Sequence, residues 1–199
     1  MKLKRILSLA LSGVLAVSML TACGGGSGIF GAGDQSSNFA SLLNSKLDEA
    51  AAGVIEYRSN DSDLKSAVRT IADLVTEADA NAAAGENVPS NFVTTVQTLT
   101  GYGNLSTGSA WDPATQSGTY VKVFMYNANN DNYNTLDEVA TAVNKVLDTI
   151  KIEGATGTTN SYKGNVAAYK VTVPAANSGD DDAQAWVIGV AIEQTVANA

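Results

Sequence analysis

The chain contains one cysteine, Cys23, and no histidine. It can form no internal disulfide and no zinc site built from histidine or several cysteines, so its core must hold it together. The same two facts remove whole classes of chemistry. Nucleophilic arrangements that pair serine or cysteine with histidine are absent. Carboxylates, lysines, tyrosines and serines are what remain for catalysis.

The position of the cysteine matters as much as its solitude. Lys2, Lys4 and Arg5 precede an apolar run over residues 6–20 whose polar interruptions are Ser8, Ser12 and Ser18. A basic start followed by a run of this length has the form of a secretion signal; a membrane span needs about 20 apolar residues. At its end, Leu20-Thr21-Ala22-Cys23 resembles the lipobox of bacterial lipoproteins. The resemblance implies cleavage before Cys23, a diacylglyceryl group on that residue, and an exported, outward-facing protein anchored to the cell membrane. Each buried CH₂ of such an anchor contributes about 0.8 kcal/mol. Gly24-Gly25-Gly26-Ser27-Gly28 reads as a flexible tether. The expected organisation is a signal peptide over 1–22, lipidated cysteine and tether over 23–37, and a single α+β domain over 38–199.

Loss of the signal removes three of twelve basic side chains, leaving nine against twenty acidic ones, a net charge of −11. Such a surface does not suit nucleic acid, whose phosphates need Lys and Arg. Nor does it suit electrostatic docking on anionic lipid, which leaves membrane attachment to the covalent anchor.

Periodicity predicts the architecture. Phe39, Leu43, Leu47, Val54 and Ile55 recur at helical spacing behind Ser37 or Asn38 as a cap. Leu64, Val68, Ile71 and Val75 mark a second helix, capped by Asp61 or Ser62 and carried to about Ala84, with Gly85 as its terminator. The short connection between them predicts an antiparallel helix pair. Residues 91–99 suit a short helix or a strand. Residues 119–126 alternate as a strand, and Leu136, Val139, Val143, Val146 and Ile150 mark a helix. Residues 166–173 and 185–192 form an expected hairpin through residues 174–184. The fold class expected is therefore α+β: an N-terminal helix pair followed by a small β-α-β-β sheet with helices on at least one face.

Three stretches are candidate sites. Asn127, Asn129, Asp131, Tyr133, Thr135 and Glu138 fall at oxygen-donor positions of a twelve-residue loop that resembles an EF-hand, which implies calcium as a possible cofactor. It departs from that pattern in carrying Asn127 at position 1 and Asn132 at position 6. Thr135 and Glu138 equally have the spacing of a capping box, which needs no metal. Asp180-Asp181-Asp182 offers either a cation site or a solvated hairpin loop. Tyr102, Trp111 and Tyr120, in a Gly/Ser/Thr-rich stretch, are candidate glycan-stacking residues or loop anchors. Carboxylate pairs such as Asp48-Glu49 and Asp61/Asp63 read as solvated faces or caps. Finally, Gly85-Glu86-Asn87-Val88 after a helix, and the later Tyr120 strand, resemble segments of the secreted cysteine-rich/antigen 5 class. That resemblance implies a metal-free member, because the class's metal-binding histidines have no counterpart.

The expected function is a lipid-anchored, non-catalytic module binding a glycan or protein partner at the cell surface. Two alternatives stand beside it: a calcium-stabilised structural domain, and a carboxylate enzyme acting on glycans. The enzyme requires a cleft with two carboxyl groups roughly 5–10 Å apart.

Overall fold

The computed structural model describes residues 30–105, 116–150, 158–177 and 179–198. Cys23, its lipobox and Trp111 lie outside them. Strand β1 (Phe30–Asp34) leads directly into helix α1 (Ser36–Ser45). The fold thus reaches back into the stretch whose composition reads as tether. Asp34 closes the junction by accepting from the Ser36 amide at 2.9 Å and hydroxyl at 2.6 Å. Burial would raise the Asp34 pKa, but hydrogen bonds from Lys65 and Ser36 outweigh it and hold it at about 2.

The helical spacing over residues 39–55 does not give one helix. Asp48 starts a new cap, accepting from the Ala51 amide at 2.7 Å, and the result is the single turn α2 (Glu49–Ala52). Beyond it the chain becomes extended as β2 (Tyr57–Arg58). The Asn44 side chain fixes that change: its amide group donates to the Tyr57 carbonyl and its oxygen accepts from the Tyr57 amide, both at 2.8 Å. One side chain thus takes the place of a neighbouring strand.

Helix α3 (Ser62–Ala72) starts from Asp61, which accepts from the Leu64 amide at 2.9 Å. It ends well before Ala84, because Thr76 and Asp79 form a capping box that opens α4 (Glu77–Ala82). After β3 (Ala84–Gly85), residues 90–100 form helix α5 (Ser90–Thr100), closed by Gly101 at φ +74°, the left-handed cap that favours glycine. Then come β4 (Gly103–Asn104), β5 (Gly118–Asn127), helix α6 (Leu136–Leu147), β6 (Thr158–Val173) and β7 (Ala183–Asn198).

These strands make one sheet of order β1-β6-β7-β5-β3, with β2 also beside β6 and β4 beside β5. The three long strands are antiparallel, in a register that sets Trp186 of β7 between Tyr126 of β5 and Lys170 of β6. β1 and β3 are antiparallel to their neighbours; β2 and β4 are parallel to theirs.

Period-2 alternation sends the long strands' side chains into two cores. Phe124, Val166, Ile188 and Val190 pack with Phe39 and Leu43 of α1 and Val139 and Val143 of α6. Val123, Met125, Val171 and Val187 pack with Leu64, Val68 and Ile71 of α3 and Phe92 and Val96 of α5. The α+β class stands, but two finer expectations are corrected. The first two long helices are not an antiparallel pair: the sheet lies between them, since α1 and α3 join opposite cores. The sheet is not a β-α-β-β unit either, because four short strands complete its edges. Gly189 lets α3 settle closely: a Cβ there would stand 2.5 Å from a Val68 methyl and 3.1 Å from Leu64.

Candidate functional site

The sequence candidates are distributed as follows. Asn127 to Glu138 form the connection from β5 to α6, and their oxygens are engaged within the chain. Asn127 Oδ1 accepts from the Asn129 amide at 2.8 Å, and Asn129 Oδ1 from the Gln184 amide at 2.6 Å. The Tyr133 carbonyl accepts from Trp186 Nε1 at 2.9 Å. Thr135 and Glu138 make the full capping box: Glu138 Oε2 accepts from the Thr135 amide at 2.9 Å and hydroxyl at 2.7 Å. These bonds hold the Glu138 carboxyl below its usual range. Of the six residues, Asp131 alone makes no such bond among the described residues. The loop is organised by its own hydrogen bonds, with Trp186 as an anchor that periodicity could not reveal. The acidic run shapes its hairpin similarly: Asp182 accepts from the Ala175 amide at 3.1 Å and Asp180 from the Asn177 side chain at 3.1 Å.

Tyr102 and Tyr120 are not brought onto one surface. The Tyr102 hydroxyl donates to Asp61 at 2.7 Å and its ring packs on the α3/α5 core. Tyr120 packs on the other core and lies across Gly103, where a Cβ would stand 2.6 Å from its ring. Trp111 lies outside the described residues.

A different pair of tyrosines lines a cavity. Between the β3 turn and the outer face of α6 is a cleft of about 720 Å³, lined by Gly85, Glu86, Asn87, Tyr126, Tyr133 and Lys145, among others. That volume is within the usual range of small-ligand sites, roughly 300–1,000 Å³. The Tyr126 and Tyr133 rings lie 4.8 Å apart, tilted by 48°. Tyr126 is buried, and its hydroxyl pKa is pushed up by burial and by its neighbours Tyr133 and Glu86. It therefore remains a neutral donor and acceptor. Gly85 sits at φ +94° with its α-carbon against the Tyr126 ring, so a side chain there would be strained and crowded. Glu86 is bridged to Lys122 at 2.7 Å. Tyr133 is half-exposed. The cleft therefore offers an aromatic wall, a neutral hydroxyl, an amide and charges of both signs. It was illegible in the sequence because residues 84–87 form no periodic element and meet β5 only through tertiary pairing.

Comparison with family models, with curated proteins and with solved structures finds no match for the chain. No helix among the described residues is long and apolar enough to cross a membrane.

Proposed function

We propose that this chain is a lipid-anchored cell-surface module that binds a polyhydroxylated, sugar-like ligand without chemically changing it, and that the Tyr126/Tyr133 cleft is its site. The observation that carries the reading is the composition of that cleft. A half-exposed tyrosine can cover the apolar face of a sugar ring, while Asn87, Lys145 and the Tyr126 hydroxyl supply directional hydrogen bonds. Among the described residues lining it, Glu86 is the one carboxylate, and it is bridged to Lys122. Glycoside hydrolysis requires two carboxyl groups facing one bond, one of them able to give up a proton. Binding is the activity this set of residues favours. Export and the anchor rest on the lipobox resemblance at Cys23 and place the ligand at the cell envelope.

The test is a panel of soluble cell-wall and host oligosaccharides titrated by calorimetry, with Tyr133→Ala beside the wild type. The expected result is binding of at least one oligosaccharide that weakens about tenfold in the variant, a loss of about 1.4 kcal/mol. Absence of binding across the panel, or turnover of a bound sugar, would overturn the reading.

A further inference from the structure

We propose that a second hollow, at the other end of the sheet, is a binding site for an aliphatic ammonium group. It lies where the end of α1, the turn α2 and the end of α6 meet, and encloses about 280 Å³. This inference is independent of the cleft reading and shares no residue with it.

Asp48 and Asp148, one hundred residues apart in sequence, both line this hollow, beside apolar walls that include Leu47, Val54, Ile55 and Leu147. Val54 is 48 % exposed, unusual here for a large apolar side chain. Two carboxylates alone would signify little, since clustered acids are often only solvated. Two buried polar groups distinguish this pair. Asn144 is buried, and its Nδ2 donates to both Asp148 oxygens at 3.2 and 3.0 Å and to the Lys46 carbonyl at 3.3 Å. Its Oδ1, equally buried, has no hydrogen-bond partner. Tyr57 is 3 % exposed, and its hydroxyl, within the influence of the Asp148 charge, makes no hydrogen bond among the described residues. A buried acceptor without a donor costs about 1–3 kcal/mol, so leaving Asn144 Oδ1 in that state, on a residue that lines the hollow, points to a missing donor.

The missing species is specified by its surroundings. The lining residues, among those described, include no cation, and Lys46 is turned away to Asp137 at 2.8 Å. The polar groups at hand are all acceptors or can act as such. An alkylammonium ion supplies three N–H donors and no acceptor. Its aliphatic stem can lie along an apolar wall while the charged head meets the carboxylates. A hard metal ion fits poorly, because calcium takes six to eight oxygens and most of this wall is hydrocarbon. Burial and the Asp48 charge together push the Asp148 pKa up, against the hydrogen bond from Asn144. The same chemistry could arrive as a free diamine or as a lysine side chain of a protein partner.

The full chain in detergent, titrated with 1,5-diaminopentane and separately with a peptide carrying a single lysine, tests the proposal. Uncharged 1,5-pentanediol is the control. At least one amine should bind, and pentanediol should bind at least about tenfold more weakly. Asp148→Asn should weaken the amine by about tenfold or more, and Tyr57→Phe should weaken it measurably while Tyr133→Ala leaves it unchanged. Binding of the peptide alone would identify a protein lysine as the source; binding of the diamine would show that a free amine suffices. Should Asp148→Asn fail to fold, Asp48→Asn, which keeps the α2 cap, replaces it. Binding of neither amine, equal binding of pentanediol, or binding unaffected by the aspartate variant would overturn the proposal.

Discussion

Glu138 is the residue on which two readings of the same letters meet. As the last ligand of a calcium loop its carboxylate would have to be open to a metal; in the structure Oε2 is held by the Thr135 amide and hydroxyl. Glu138→Gln keeps a hydrogen-bonding amide but loses the charge at the helix start, where an anion contributes about 0.3–1 kcal/mol. Thr135→Ala removes the cap hydroxyl itself and should cost about 0.5–2 kcal/mol. Urea denaturation in calcium and in EDTA is expected to give the same loss for either variant. A wild type stabilised by calcium, with that gain abolished in Glu138→Gln, would restore the metal reading. The capping box was legible from residue spacing, because its partners are three positions apart. The Asp48/Asp148 hollow was not: Asp48 alone reads as a solvated acid, and only the approach of α1 to α6 gives it a neighbour.

At the scale of elements, legibility followed length. β5, α6 and the β6–β7 hairpin carry enough alternation or helical spacing to be read directly; β5 and α6 appear close to where periodicity puts them, while the hairpin strands run over Thr158–Val173 and Ala183–Asn198, well beyond the expected 166–173 and 185–192. The four short strands do not, since two residues such as Tyr57–Arg58 or Gly103–Asn104 hold no period. They exist because a long neighbour offers free edge groups. The false continuation over residues 39–55 arose for a related reason: Leu47, Val54 and Ile55 keep helical spacing, although Asp48 and Asn44 redirect the backbone. Element packing also supplies a sharp prediction. Gly189→Ala would place a methyl group against Val68 and Leu64. Overpacking of this kind costs about 1–3 kcal/mol, and the variant's denaturation midpoint should fall accordingly. An unchanged midpoint would show that α3 can lift from the sheet without loss.

The whole molecule has a repeated edge design. Along β6 the chain lays an antiparallel strand β1, a helix α1 and a parallel strand β2; along β5 it lays β3, α5 and β4 in the same senses. The two helices fall on opposite faces, so the edges are related approximately by a half-turn about β7. Short strands cover part of both rims, and short edge strands blunt edge-to-edge association. The anchor proposed at Cys23 lies outside the described residues, seven positions before β1. Cys23→Ser should therefore move the protein out of the membrane fraction while its thermal midpoint stays within about 2 °C of the wild type, less than the shift for 1 kcal/mol in a domain this size. A large fall would mean that the anchor takes part in folding.

The entry point of β1 has a further consequence, one of reach. Phe30 is paired with Thr172, next to the turn that joins β6 to β7, whereas Tyr57 is paired with Gly164, eight residues back along β6. At about 3.3 Å per strand residue, those levels stand roughly 26 Å apart. Seven residue steps from Cys23 to Phe30 span at most about 25 Å. A lipid on Cys23 would work as a short mooring line tied at one end of the hull. The Tyr126/Tyr133 cleft, level with Trp186 and Lys170, would ride close to the bilayer, where a ligand belonging to the same cell envelope lies within range. The ammonium hollow would be carried towards the opposite end, facing whatever approaches from outside.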